Sequence, residues 1–467
     1  MTEMIKSNNV SFQYLHTTEA FLKEINLTVD RGEVILICGA SGSGKSTYSR
    51  LLNGISPNYI EGELTGEHYT ADLKAGEADI EAYVPIVGSV FQNPKTQHFT
   101  VDTTSELAFP LENMGVHPDF IRTKIMENAK ALDVEHLLGR NIFEISGGEK
   151  QQIAFVASNM LEPTILILDE VTSNLDQEAI IRIREMVLQL KARGQTIIIF
   201  EHRLAWTKDL VDRYIRLEDG KVSSEWTADA FQKLSNDELH ALGLRSMNLE
   251  MHREIIQTKL NNQKDSNNCT LTTENLSIGY PGHTVLTDLH LSFNAGEVTG
   301  LLGPNGTGKS TFANTLTGLQ DAISGQIYWN NKKITKKALI QKSYMVMQDM
   351  NYQLFSDSVE NEILLGAKHP KYLESLLDEL NLTEFRDRHP MSLSEGQKQR
   401  VVIASALLSG KEIVIFDEPT SGLDYEHMKR FGKLLNDLKK SNAVIIVITH
   451  DEELASKYCD SIVQLDK

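Results

Sequence analysis

This 467-residue chain predicts an α/β fold: two tandem phosphate-loop units, each a mainly parallel sheet with a helical subdomain. Three observations carry the prediction. At residues 34–52 a short apolar run, a glycine-rich octapeptide and a helix-forming stretch follow one another. The same succession returns at residues 298–316. After each, apolar runs of strand length alternate with stretches of helical periodicity, the pattern of a sheet buried on both faces.

The first octapeptide is Gly39, Ala40, Ser41, Gly42, Ser43, Gly44, Lys45 and Ser46, with Thr47 next. Strand, glycine-rich turn and helix form the context of a phosphate cradle. Without side chains at the glycines, successive backbone N–H groups can converge on one anion, and the helix N-terminus adds its partial positive charge. Lys45 can reach the β- and γ-phosphates, and the Ser46 hydroxyl can ligate Mg²⁺. The second octapeptide is Gly303, Pro304, Asn305, Gly306, Thr307, Gly308, Lys309 and Ser310, with Thr311 next.

The rest of the first unit also has a counterpart. Ser146 matches Ser394, Asp169 matches Asp417, Asp176 matches Asp424 and His202 matches His450, each pair 248 positions apart. Gln92 matches Gln348 at 256, and the lysines lie 264 apart, so the first unit carries extra residues between its loop and Ser146. Residues 10–12 and 25–29 read as strands, the polar stretch 61–81 as surface strands and loops, and 120–138 as a helix. Strands at 165–168 and 196–200 flank a helix near 177–193. The predicted units are 1–245 and 269–467, joined by a polar, flexible linker at 246–268.

Two apolar strands end in paired acids, Asp169-Glu170 and Asp417-Glu418. The first acid suits Mg²⁺ held beside the phosphates. The second can orient or deprotonate an attacking water. His202 and His450 each close a core strand, where they serve either as structural residues or as γ-phosphate contacts. Ser146-Gly147-Gly148-Glu149 and Ser394-Glu395-Gly396-Gln397 each open a helix, as an anion site or as a plain cap. His68, His98 and His117 are read as surface residues.

The net charge of −18 argues against a nucleic-acid partner. Cys38, Cys269 and Cys459 form no CxxC pair, which points away from zinc and disulfides. The first residues carry no apolar signal segment, and the apolar runs are too short to span a membrane, so spans are expected on other chains.

The order phosphate loop, glutamine, Ser-Gly signature, Asp-Glu, Asp, His resembles the nucleotide-binding domains of ABC-type ATPases, twice over nearly the whole chain. The resemblance implies ATP and Mg²⁺ as cofactors and two units that pair head to tail. Lys45 then shares its ATP with Ser394 and Gly396, and Lys309 with Ser146, Gly147 and Gly148. Tyr14 and Tyr280 look like the aromatics that stack on adenine. The implied Mg²⁺ ligands are Ser46, Gln92, Asp169, Ser310, Gln348 and Asp417, and the implied catalytic residues are Glu170, His202, Glu418 and His450. Glu395 departs from the family's glycine, and Val171 from the proline kept at Pro419.

A narrower likeness lies in Gln92…Gln97-His98-Phe99 and Gln348…Gln353-Leu354-Phe355, with Glu106 and Glu362 downstream. These segments, and the tail at 231–239, resemble the ATPases of energy-coupling factor importers, which take up vitamins or transition-metal ions. The likeness implies a peripheral protein at the cytoplasmic face of the cell membrane, partnered by a transmembrane scaffold and a substrate-binding membrane protein. Two other readings stay open. A soluble tandem ABC protein acting on ribosomes or DNA usually has helical or zinc-bearing inserts and basic surfaces. A sugar-importer ATPase usually has a degraded second loop.

Overall fold

The computed structural model describes residues 3–261, 269–348 and 350–465. The chain forms two compact units, Met1–Asn248 with Gly422–Glu426, and Leu249–Ser421 with His427–Lys467.

In the first unit the central sheet runs in the order Lys221–Thr227, Arg213–Glu218, Val34–Cys38, Thr196–Phe200, Ile165–Asp169, Val87–Val90. Its neighbours are parallel except for the edge pair Lys221–Thr227 with Arg213–Glu218. Val34–Cys38 is buried throughout. Val34, Leu36 and Cys38 enter one core, and Ile35 and Ile37 the other. Because side chains alternate faces along a strand, an all-apolar run marks a sheet covered on both sides.

A second, antiparallel sheet has the order Leu22–Asp30, Glu3–Tyr14, Gly62–Thr70, Leu73–Lys74. The helices Thr103–Asn113, Pro118–Ala131 and Gly147–Asn159 supply the helical subdomain. The helix expected over 120–138 stops at Ala131; Asp133 takes the left-handed conformation (φ 55°), and only a short 3₁₀ turn, Glu135–Leu137, follows.

The second unit repeats this plan. Its central sheet runs Ser343–Val346, Ile413–Asp417, Val444–Ile448, Val298–Leu302, Ser461–Gln464, all parallel. The helices Val359–Leu364 and Leu373–Glu379 have 6 and 7 residues, against 11 and 14 in the first unit, so part of the extra length sits in the helical subdomain.

Two expectations need correction. The stretch expected as linker is largely a helix, Glu250–Asn261, packed on the helix Glu452–Tyr458 and the strand Ser461–Gln464 of the second unit. His252, Ile256 and Leu260 recur every four residues on its inner side. The buried His252 Nδ1 lies 2.6 Å from Ser456 Oγ, and Lys259 Nζ donates to the carbonyls of Ser456 and Cys459, where a cation meets a helix C-terminus. The end of the expected linker, 262–268, lies outside the described residues. Of the three histidines read as surface residues, His68 is buried and His98 has a buried side chain. His68 bonds Ser7 Oγ (2.8 Å) and Thr70 Oγ1 (3.1 Å), and burial pushes it down to about 3. His98 packs against Glu106, with 3.5 Å between Nδ1 and Oε1. His117 is exposed and caps the helix Pro118–Ala131. The three cysteines are free and buried.

Candidate functional site

The first phosphate loop leaves the strand Val34–Cys38 and enters the helix Lys45–Leu52. Gly39 has φ 147°, and a Cβ there would stand 2.2 Å from the Leu217 carbonyl oxygen. Gly44, with φ 103°, caps the helix in a left-handed conformation. The loop is thus closed around backbone that only glycine can form. Lys45 is buried and donates 3.0 Å bonds to the carbonyls of Gly39 and Ala40, curling over the cradle. Burial pulls its ammonium below the ordinary range, so an anion in the cradle would meet a poorly solvated cation. Ser46 is exposed at the loop mouth, and Thr47 is buried.

The second loop is built alike. Gly303 has φ 147°, with a Cβ clash of 2.3 Å against the Leu465 carbonyl, and Lys309 Nζ donates to Gly303 (2.7 Å) and Pro304 (2.8 Å). Asn305 Oδ1 lies 2.9 Å from His450 Nε2, and Thr307 Oγ1 donates to the Pro304 carbonyl.

The strand-end acids converge on the loops. Ser310 Oγ donates to Asp417 Oδ2 at 2.8 Å, which brings two predicted Mg²⁺ ligands into contact. Burial pushes Asp417 up. In the first unit burial, then the neighbouring Glu170 carboxylate, pushes Asp169 up to about 6. These hard oxygen donors suit Mg²⁺, which takes one or two carboxylates and fills its remaining positions with water and phosphate. No cluster of three or more His, Cys, Asp or Glu residues that could hold an ion by itself occurs among the described residues.

The raised Asp169 carries a testable cost. Between pH 3.8 and about 6 the folded chain holds a proton that the unfolded chain has lost. Stability therefore falls as pH rises through that window, and the cost is full above it. Asp169→Asn is expected to stabilise the nucleotide-free chain by about 1–3 kcal/mol at pH 7.5, the gain shrinking towards nothing near pH 4. Melting curves at both pH values check this; equal stability of variant and parent at pH 7.5 contradicts it.

Glu170 (φ 49°) and Glu418 (φ 50°) both sit in the left-handed region, an uncommon and costly conformation away from glycine. Glu170 Oε2 accepts from Gln92 Nε2 at 2.9 Å, and its Oε1 lies 3.3 Å from His202 Nε2. Burial pushes Glu170 up, but the contact with His202 and the Lys45 charge outweigh it and hold the carboxyl below its ordinary value. Glu418 Oε1 lies 3.3 Å from His450 Nε2, which is also 3.3 Å from Lys309 Nζ. Both units thus hold a carboxylate, a histidine and a lysine around one loop. Gln348 is exposed just past the strand Ser343–Val346.

Ser146 and Ser394 cap their helices with full capping boxes. Ser146 Oγ accepts from Glu149 N (3.2 Å) and Glu149 Oε2 from Ser146 N (2.7 Å); Ser394 and Gln397 do the same at 3.4 and 2.9 Å. The capping role is therefore present whether or not an anion binds. A Cβ at Gly147 or Gly396 would meet no atom within 4 Å, whereas one at Gly148 would stand 2.8 Å from Ala179 Cβ. The Glu395 side chain lies outside the described residues. Tyr14 ends the strand Glu3–Tyr14, donates to Thr47 Oγ1 at 2.9 Å and packs edge-on against Phe12 and Phe21. Tyr280 ends the equivalent strand, Leu271–Tyr280, and is exposed.

One anchor escaped the motif reading. Glu201, fully buried before His202, accepts from Thr172 Oγ1, from Thr172 N (3.1 Å) and from His202 N (2.9 Å), and so ties the segment after Glu170 to the histidine. The second unit has Thr449 at the matching position and makes the tie through Asp451, which accepts from Thr420 Oγ1 at 2.9 Å. The residue types differ between the repeats, so matching identities could not find it.

No helix among the described residues is long and apolar enough to cross a membrane. The family model described as ABC transporter matches residues 22–173 and again 286–421. A protein of Treponema denticola named "Putative ABC transporter ATP-binding protein" is 40% identical over 99% of this chain and 95% of its own length. The solved structure of an RNase-L inhibitor covers 97% of this chain and 87% of its own at 22% identity and a TM-score of 0.67, a likeness of fold. That of cbiO1 from Clostridium perfringens covers 54% of this chain and 98% of its own at 27% identity and a TM-score of 0.47. With the family matched once in each unit and a relative aligned end to end, the chain belongs to the ABC transporter family and is a tandem ABC ATPase.

Proposed function

We propose that the chain binds and hydrolyses ATP at both loops and powers a membrane importer of the energy-coupling factor type, for a vitamin, a vitamin precursor or a transition-metal ion. In this reading Lys45 and Lys309, with the loop N–H groups, hold the phosphates. Ser46 with Asp169, and Ser310 with Asp417, hold Mg²⁺, which when bound neutralises developing phosphate charge. Glu170 and Glu418 take the proton of the attacking water, and His202 and His450 orient them. Tyr14 and Tyr280 stack on adenine.

The observation that supports the importer is the doubled glutamine segment. Gln97 braces it from inside: its Oε1 accepts from Phe91 N (3.1 Å) and its Nε2 donates to Ser89 O (2.8 Å). The buried Glu106 accepts from Phe99 N (3.1 Å) and Thr100 N (2.9 Å). Gln353 and Glu362 repeat the arrangement on Met347, Met345, Phe355 and Ser356. Each brace holds an aromatic ring out to solvent, Phe99 at 71% and Phe355 at 75% exposure, with Val101 exposed near the first and Tyr352 near the second. Spending buried carboxylates to hold apolar side chains outward fits a docking site for apolar helices of a partner.

Phe99→Ser with Phe355→Ser tests the reading. The double variant is expected to lose at least about tenfold in recovery of a membrane scaffold from detergent extracts, the scale of removing two interface anchors. Its ATPase rate in isolation is expected to stay within about twofold of the parent, since surface changes away from the loops cost little. Undiminished recovery contradicts the docking role.

A further inference from the structure

The second unit holds a cavity of about 210 Å³ whose charged lining no step above uses. It opens between the end of the helix Leu373–Glu379, the signature helix Glu395–Leu408 and the helix Tyr425–Lys439. Its lining gathers Arg400, Arg430, Lys433 and His427, against one carboxylate, Glu379. Arg400 is half-buried, and its Nε is closed to solvent with no hydrogen-bond partner. The charged neighbour that acts on it is another cation, Arg430; burial and then that repulsion hold its guanidinium below the ordinary value. A buried guanidinium N–H left without an acceptor, beside a like charge, is costly unless something fills the space next to it.

The first unit shows that the fold does not need these charges. Gln152 stands where Arg400 does and Glu185 where Lys433 does, 248 positions earlier; only Arg182 matches Arg430. The cationic lining is therefore a property of the second unit alone.

We propose that this cavity is an anion site that takes a small phosphate-bearing ligand, held by Arg400 and Arg430 with Lys433 at the rim. A guanidinium offers five donors in a planar fork, which matches phosphate oxygens two at a time, and two such forks neutralise a dianion. The space equals roughly seven waters at about 30 Å³ each, enough for one phosphate group and a few further atoms. Its lining shares no residue with the phosphate loop of its own unit and meets the expected ATP contacts only at Gly396; the four cations of the lining are not among those contacts.

The test is equilibrium dialysis of the full chain against labelled inorganic phosphate. Mg²⁺ and a non-hydrolysable ATP analogue are present in excess, so that both loops are filled; analogue binding is measured in parallel, which separates failure of the loops from failure of this site. The expected result is one phosphate per chain, at least about tenfold weaker in Arg400→Gln and several-fold weaker in Lys433→Glu. Arg400→Gln installs the residue that the first unit already carries at Gln152, so folding is expected to survive; Lys433→Glu alters an exposed position. Competition by glycerol phosphate at lower concentration than unlabelled phosphate assigns the site to phosphorylated metabolites, and equal competition assigns it to free phosphate. No binding to the parent chain at about 10 mM phosphate, or equal binding by parent and Arg400→Gln, overturns the proposal.

Discussion

The double variant Glu170→Gln, Glu418→Gln is expected to hydrolyse ATP at least about a hundredfold more slowly than the parent chain, the usual worth of a positioned general base. The geometry gives the reason. Each glutamate is held at positive φ against a histidine 3.3 Å away, and Lys45 and His202 keep Glu170 ionised despite its burial. A glutamine keeps the shape and loses the ability to take a proton, so nucleotide binding is expected to survive while turnover fails. Each single variant is expected to lower the rate only in part, because both units carry the same Lys, Asp, Glu and His set. Steady-state turnover of the three variants decides it. One single variant abolishing all turnover while the other changes nothing contradicts two working sites.

Gly39→Ala is expected to abolish nucleotide binding at its loop and to destabilise the chain by about 3 kcal/mol or more, the scale of a steric clash with backbone in a close-packed region. Its Cβ would stand 2.2 Å from Leu217 O, a backbone atom of the sheet that cannot retreat, and φ 147° is itself unfavourable for alanine. Gly42→Ala is the control. Its φ of 82° costs on the order of 1 kcal/mol for a side chain, but a Cβ there meets nothing within 4 Å. Melting and nucleotide titration of the two variants are expected to differ sharply; similar losses in both contradict the closed cradle.

The two loops, the paired acids and the histidines were legible in the sequence because each needs particular residue types at the end of an apolar run. Ser310 beside Asp417, and His202 beside Glu170, lie far apart in sequence and meet only because the strands that carry them are parallel neighbours or adjoin the loop strand. The helix Glu250–Asn261 was hidden by its polarity: its inner row includes His252, which reads as solvent-facing until Ser456 satisfies it. His68 misled in the same way, since Ser7 and Thr70 supply the bonds that let an imidazole be buried. Glu201 and Asp451 do one job with different residues from different positions, so a search for equal offsets passes over them.

Purification of the tagged chain from detergent-solubilised native membranes, with its companions identified, tests the importer most directly. The account predicts recovery of a transmembrane scaffold together with a small substrate-binding membrane protein, whose identity would name the cargo. Recovery of ribosomes or of DNA-bound proteins, with no membrane protein, would contradict it.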